Sequence, residues 1–243
     1  CFMYGMYGYG YGYGLDPTII LVLIGVALSL WAQGRVNSTF SRYSRVRSMT
    51  GMTGAEAARR LLNAQGIYDV TVQQIAGELT DHYDPRTKTV NLSQSVYGAT
   101  SVAAIGVAAH ECGHAMQDNE GYAPLRFRSA LVPVANFGSS LSWPLILLGL
   151  VFGGLGSPLV EIGILMFSLA VLFQLVTLPV EYNASARAVR LLDAQGILAG
   201  EEVNGTRKVL NAAALTYVAA AATSILQLLR LIILFGGRNR RDR

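Results

Sequence analysis

Charge is scarce in this 243-residue chain, and so are histidine and cysteine. Charged residues make up 14% of the sequence, whereas a typical soluble domain has about 25%. Hydrophobic residues make up 52%, so the composition predicts an integral membrane protein. The net charge is only +4, which gives no reason to expect nucleic-acid binding. The two cysteines, Cys1 and Cys112, lie in very different surroundings, and no disulfide is expected.

Three long apolar runs predict three transmembrane helices. Residues 17–34 contain TIILVLIGVALSLWA, and a helix of this length spans about 27 Å, close to the roughly 30 Å of a bilayer core. Two further runs cover residues 130–156 and 159–180, with a turn at GGLGSP between them. Residues 1–16 form a Gly/Tyr-rich tail, which we interpret as a flexible or interfacial segment.

The polar region, residues 35–129, is expected to contain helices and a small sheet. Thr53 and Glu56 form a capping box that opens a helix ending at Gly66. DVTVQQI and KTVNLS predict two short strands of a hairpin, with an Asp-Pro turn signal at positions 84–85 between them. SVAAIGVAAHECGHAMQ is rich in alanine and lacks proline, and it predicts a further helix.

The positions of lysine and arginine predict the orientation in the membrane. None precedes Arg35, and none lies between Arg128 and Arg187. The N-terminal tail and the turn of the second and third runs are therefore expected outside, and the polar region and residues 181–243 inside. A fourth apolar segment, residues 212–235, is followed by the basic sequence RNRRDR. Crossing would carry these charges outward, so we expect a helix on the cytoplasmic domain or in the interface.

The sequence HECGH at positions 110–114 predicts a zinc site. On a helix, His110 and His114 share one face, one turn apart, and both imidazoles can bind the same ion. Glu111 lies about 100° around the helix, where it can act on water as a general base, as in zinc hydrolases with this pattern. Cys112 projects to the opposite side and is expected to be a packed residue. The alternative is a pair of surface histidines on an amphipathic helix.

A catalytic zinc site requires a third protein ligand. No histidine follows His114. The downstream carboxylates are Asp118, Glu120, Glu161, Glu181, Asp193, Glu201, Glu202 and Asp242. We favour Glu181, in LPVEYNASARA, because it lies at the inner end of the third run, on the side of the histidines. The alternative is an interfacial carboxylate that caps the start of a helix.

Four segments together resemble the YugP-type neutral zinc metallopeptidases, which are bacterial membrane proteins. The segments are AIGVAAHECGHAMQ, LTDHYDPRTKTVNLS, GYAPLRFRSALVPVAN and LPVEYNASARA, and the resemblance covers residues 16–231. It implies one zinc ion bound by His110 and His114, and it supports Glu181 as the third ligand. It also implies that Glu111 is the catalytic base and that the protein is a multi-pass protein of the bacterial cell membrane.

More distantly, the layout is similar to the HtpX-like and CAAX-processing membrane peptidases. Those carry a Glu-x-x-x-Asp pattern after the first motif, and here Ser185 stands at the position of the aspartate. This departure leaves the partner that orients the histidines unassigned. His82 and Tyr83 are candidates for stabilising the oxyanion beside a substrate-aligning strand. Structural hydrogen bonds within DHYDP are an equal alternative.

The sequence therefore predicts a mainly α-helical membrane protein with about three transmembrane helices. A zincin-like α+β domain in the cytoplasm would act as a gluzincin-like endopeptidase on membrane-associated proteins or peptides, beside the lipid bilayer. A non-catalytic scaffold or chaperone with a structural metal is the alternative, although such a site has no use for Glu111. A transporter is disfavoured, because the predicted spans hold few ionisable residues.

Overall fold

The computed structural model describes residues 16–154 and 157–236. Within them the elements are α1 (Ile19–Ser44), α2 (Gly54–Ala64), β1 (Thr71–Ile75), β2 (His82–Asp84), β3 (Thr89–Ser93), α3 (Gln94–Tyr97), α4 (Val102–Asn119), α5 (Ala123–Gly153), α6 (Pro158–Ala194) and α7 (Glu201–Phe235). Most of the Gly/Tyr tail, including Cys1, and the basic C-terminal sequence lie outside the described residues.

Four helices, α1, α5, α6 and α7, are long and apolar enough to cross a membrane. The three predicted runs correspond to α1, α5 and α6, although the first begins two residues before α1 and the second extends beyond the end of α5. Helices α5 and α6 form a closely packed hairpin, and glycine makes the approach possible. A Cβ atom at Gly138 would lie 2.6 Å from the carbonyl oxygen of Met166. The hairpin leads the chain away from the polar region and back to it.

Helix α7 packs antiparallel along α1, whereas the sequence placed residues 212–235 on the cytoplasmic domain or in the interface. The hydroxyl of Thr223 donates to the carbonyl oxygen of Gly25 at 3.1 Å. Farther along, a guanidinium nitrogen of Arg230 lies 3.4 Å from a carboxylate oxygen of Asp16. No crossing was expected because of the basic sequence RNRRDR, which lies outside the described residues; Arg230, within α7, is paired near the start of α1. The two partners are 214 residues apart, and no local pattern shows the pairing.

Helix α4 is the centre of the folded polar region, and nearly all of its residues are buried. It begins at Ser101, whose hydroxyl accepts a hydrogen bond from the amide of Ala104 at 3.2 Å. The capping box predicted at Thr53 and Glu56 is confirmed at the start of α2. The apolar core joins α2, α4 and the sheet to the inner ends of α6 and α7. The polar region therefore completes its core with residues from the membrane helices.

The sheet has three strands in the order β1-β3-β2. Strands β2 and β3 are antiparallel and enclose the predicted turn at positions 84–85, whereas β1 pairs with β3 in parallel. The sequence predicted β1 and β3 as the two arms of a hairpin. All five residues of β3 are buried, so its backbone groups need partners on both edges. Strand β2 supplies the hydrogen-bonding partners on the second edge of β3. It has only three residues, too few to leave a recognisable strand pattern in the sequence.

Candidate metal centre

Three side chains converge between α4 and α6. His110 and His114 come from α4 and Glu181 from α6, and their possible ligand atoms all lie within 4.8 Å of one another. One carboxylate oxygen of Glu181 lies 3.2 Å from Nε2 of His110 and 3.6 Å from Nε2 of His114. Two imidazole nitrogens and one carboxylate oxygen are the donor set of a catalytic zinc site of the His₂Glu type. We refer to these residues as the metal-binding group.

Glu181 reaches the histidines because α6 is continuous. The helix runs from Pro158 to Ala194, so Glu181 lies well inside it and does not cap its start. On α4, Gly113 faces α6 so closely that a Cβ atom there would lie 2.6 Å from the carbonyl oxygen of Ala184. Because Gly113 has no side chain, α4 and α6 approach each other closely enough for residues of both helices to bind one ion.

Hydrogen bonds orient both histidine rings. Ser185 Oγ lies 3.1 Å from Nδ1 of His110, and Gln117 Oε1 lies 3.0 Å from Nδ1 of His114. The amide nitrogen of Gln117 donates to the carbonyl oxygen of Val180 at 2.9 Å, which turns its oxygen toward the ring. With Nδ1 donating, Nε2 is left as the metal-binding atom. Ser185 is therefore the hydrogen-bond partner of His110 that the sequence left unassigned. Gln117, the partner of His114, was not predicted, although it follows His114 by only three positions.

The charges around the metal-binding group favour a cation. Burial by itself lowers the pKa of His114, but the hydrogen bond to Glu181 and the charges of Glu111 and Glu181 outweigh it, and the pKa is raised. Two carboxylates therefore stabilise positive charge at this point, as they would a divalent ion. Arg128 of α5 lies beyond them, with a guanidinium nitrogen 3.7 Å from the other oxygen of Glu181. Its buried Nε has no hydrogen-bond partner among the described residues.

The neighbours of the two histidines on α4 differ sharply. Glu111 lines the cavities at the metal-binding group and is 7% exposed. It makes no hydrogen bond to the described part of the chain. Cys112 is fully buried on the other side, where its thiol donates to the carbonyl oxygen of Ala58 at 3.6 Å. Burial raises the pKa of this thiol. Its expected role as a packed residue agrees with this environment.

Two cavities meet at the metal-binding group. The larger, of about 370 Å³, is bounded by β2, α4 and α5, and the smaller, of about 180 Å³, by α1, α4 and α7. The lining residues common to both are Asp81, His110, Glu111, Glu181 and Tyr217. A chain that passed from one cavity to the other would cross the metal-binding group.

His82 and Tyr83 both lie in the wall of the larger cavity. The ring of His82 is held by the carbonyl oxygen of Thr80, 2.9 Å from Nδ1. The hydroxyl of Tyr83 donates to Asp118 at 2.8 Å and is engaged there rather than at the metal-binding group. Burial and this carboxylate raise the pKa of Tyr83. Tyr217 of α7 lines both cavities. Helices of residues 181–243 were expected to complete the site, but no motif marks this tyrosine, and the sequence analysis missed it.

Gly113→Ala is expected to disrupt the metal-binding group. The added methyl group would clash with the backbone at Ala184, and overpacking of this kind costs about 1–3 kcal/mol. Relief requires α6 to move away from α4, which separates Glu181 from the histidines. Bound metal, measured by mass spectrometry, should fall together with the melting temperature. Gly34→Ala, where a Cβ atom would meet nothing within 4 Å, is the matched control. Equal metal content in both variants would contradict this account.

Comparison with known proteins gives a family and a relative. The model of a family described as "Putative neutral zinc metallopeptidase" matches residues 18–236. The "Putative membrane protease YugP" of Bacillus subtilis (strain 168) is 49% identical over 217 residues, which are 89% of this chain and 96% of that protein. No solved structure gives a significant match.

Proposed function

The chain belongs to the neutral zinc metallopeptidase family, and from this membership we propose that it is an integral-membrane zinc endopeptidase with its active centre at the metal-binding group. A zinc-dependent protease role in a membrane is supported by the family and by the relative, and the resemblance found in the sequence is confirmed. The finer proposal rests on one observation. Two histidines of α4 and a glutamate of α6 present their ligand atoms within 4.8 Å of one another, beside two cavities.

We propose that one zinc ion is held by His110, His114 and Glu181. Zinc in such a site acts as a Lewis acid and makes water nucleophilic at neutral pH. Three protein ligands leave a coordination position open, as catalytic sites require and closed structural sites do not. The adjoining cavities give access to that position. This arrangement favours an enzyme over the scaffold or chaperone alternative.

Glu111 is assigned as the general base, as in gluzincins. It follows His110 on α4, lines both cavities and has no hydrogen bond to the described residues that would occupy its carboxylate. It takes a proton from the attacking water and passes it to the amine that leaves when the peptide bond breaks. Glu181 is held by three cationic or imidazole groups and is unavailable for this step.

Oxyanion stabilisation is assigned first to Tyr217, because its side chain lines both cavities and lies next to Glu181. His82 lies in the wall of the larger cavity, but Nδ1 contacts the carbonyl oxygen of Thr80 and Nε2 the amide nitrogen of Asn91, so it can act as a second donor only if its ring turns away from both. Tyr83 is assigned a positioning role, because its hydroxyl ties β2 to Asp118. Strand β2 is an edge strand of the sheet, and a substrate in extended conformation can pair with its free edge.

We propose a topology of four spans, with the active centre at the cytoplasmic face. The start of α1 lies outside, α5 and α6 lead out and back, and α7 leads out again beside α1. Positive charges that follow the apolar part of α1 and precede the apolar part of α5 favour this orientation. Four spans replace the expected three, since α7 lies beside α1 from Gly205 next to Tyr43, through Thr223 next to Gly25, to Arg230 next to Asp16. Substrates are then proteins or peptides at the inner membrane surface.

Cysteine labelling tests this topology. A cysteine appended after residue 243 in a Cys1→Ser/Cys112→Ala background, which removes both native thiols, should react with a membrane-impermeant maleimide added to intact cells. A cysteine replacing Met49, which is 91% exposed in the polar region, should react only after the cells are opened. Protection of the C-terminal cysteine in intact cells would contradict the fourth span and restore the three-span expectation.

Zinc content and cleavage test the proposed function directly. Protein purified in detergent should contain one zinc ion per chain and cleave an unfolded protein such as casein. A chelator should abolish cleavage, and zinc should restore it. Protein without zinc, or full activity in the presence of chelator, would contradict the proposal.

A further inference from the structure

A second groove lies where α1, α6 and α7 meet, and Tyr182, the neighbour of Glu181 on α6, forms one wall. Its volume is about 660 Å³. Three positive side chains line it: Arg35 and Arg42 from α1 and Lys208 from α7. We refer to it as the basic groove. It shares no lining residue with the two cavities at the metal-binding group.

The positive charges of the basic groove have no anionic partner in the described part of the chain. The ion pairs of the protein involve other residues, and no Asp or Glu lines the groove. The guanidinium of Arg42 lies over the ring of Tyr43, 5.6 Å from its centroid, and this contact leaves its charge unneutralised. Three like charges around one groove repel one another, and a bound anion would offset that repulsion.

The arrangement of donors suits a phosphate group. Arg35 and Arg42 are seven residues apart on α1 and therefore lie on one face, two turns from each other. Ser38 and Thr39 lie between them in the groove wall, and Asn211 faces them from α7. Guanidinium, ammonium, hydroxyl and amide groups are the usual partners of phosphate oxygens.

The groove also has an apolar end. Helix α7 runs antiparallel to α1, so Ala212 and Leu215 follow Lys208 in the direction of the apolar parts of both helices. Arg35 follows the apolar run of α1, and Tyr182 follows that of α6. All three helices thus change from apolar to polar at the level of the groove, which in the four-span topology is the inner surface of the membrane.

We propose that the basic groove binds the phosphate of an anionic phospholipid headgroup from the cytoplasmic leaflet. The headgroup lies between Arg35, Arg42 and Lys208, and the acyl chains extend past Leu215 along α1 and α7. Basic pockets between transmembrane helices on the cytoplasmic side bind acidic headgroups in this way. The apolar end favours a lipid over free phosphate. The inference depends on the membrane helices and not on peptidase activity.

Native mass spectrometry of the full chain released from detergent micelles tests the proposal. The probes are phosphatidylglycerol, phosphatidylcholine and inorganic phosphate. Phosphatidylglycerol should bind more tightly than phosphatidylcholine. Arg35→Gln/Lys208→Gln should weaken its binding by roughly 30-fold, from the usual contribution of a basic residue at an anionic membrane surface. Arg42→Gln alone should weaken it by roughly 5-fold.

The matched control is Arg45→Gln/Arg126→Gln, which removes the same net charge from exposed residues outside the groove. It should change binding by less than about 3-fold, because only long-range attraction is lost. Equal loss in the groove and control variants would overturn the proposal, as would equal binding of the two lipids. Inorganic phosphate that competes with phosphatidylglycerol at similar concentration would overturn the lipid assignment.

Discussion

Glu111→Gln is expected to abolish peptide-bond cleavage while leaving zinc content unchanged. The substitution keeps the size of the side chain and removes the carboxylate that accepts the proton of the attacking water. General-base catalysis contributes about 10²–10⁴-fold, so the rate of casein cleavage should fall by at least about 100-fold. The ligand atoms of the metal-binding group come from three other residues. Zinc per chain, measured by mass spectrometry, and the melting temperature should therefore match those of the wild type.

Glu120→Gln is the matched control for this experiment. Glu120 lies just beyond the C-terminal end of the same helix, and its carboxylate pairs with Arg187 on the protein surface at 2.6 Å. Exposed ion pairs contribute little to stability, so both cleavage and zinc content should stay close to wild type. A Glu111→Gln protein that cleaves casein within 10-fold of the wild-type rate would remove Glu111 from the mechanism.

Glu181→Ala is expected to remove zinc from the protein and, with it, all activity. Loss of a residue that only orients a ligand lowers metal affinity by about 10–100-fold, and loss of a ligand should exceed that. The wild type should gain thermal stability from zinc, because an ion bound only by the folded state raises the free energy of unfolding. The variant should lack this gain. Melting curves recorded with and without chelator, beside zinc analysis, measure both effects.

A purely structural role for Glu181 gives a different result. Its carboxylate is almost fully buried next to Arg128, so its removal could destabilise the fold regardless of zinc. In chelator, the wild type and Glu181→Ala should melt within a few degrees of each other if metal binding is its main contribution. Glu161→Ala, on the same helix but about 30 Å away along its axis, should retain zinc. Unchanged zinc in Glu181→Ala would exclude it from the ligand set.

What the sequence revealed about the site depends on how far apart the participating residues lie. His110, Glu111 and His114 occupy one helical turn, so their spacing alone predicts how they are arranged. Glu181 was predicted by another route, because the apolar runs and the positive charges indicate where the chain returns to the face that carries the histidines. Tyr217 had neither signal. It reaches the cavities because α7 packs against α4 and α6 as well as α1, and that packing is a long-range property.

The same distinction applies to the fold. The capping box of α2 and the strand residues of β1 and β3 were predictable, because each depends on neighbours in sequence. The parallel pairing of β1 with β3 depends on the burial of β3, which only the tertiary structure determines. The ion pair of Arg230 with Asp16 likewise joins the two ends of the described chain. Fewer spans were expected because a fourth crossing would carry the basic sequence RNRRDR outward, and the pairing of Arg230 could not be foreseen from its neighbours in sequence.

The unbroken course of α6 also bears on how such an enzyme can be switched off or released. Under the proposed ligand assignment and topology, two ligands belong to the polar region and the third to α6, a helix that begins on the far side of the bilayer. The catalytic unit is therefore not a soluble module attached to an anchor. Proteolytic shedding of residues 35–129 into the cytoplasm would leave Glu181 behind in the lipid-embedded hairpin. Release from the membrane and irreversible inactivation would be one and the same event.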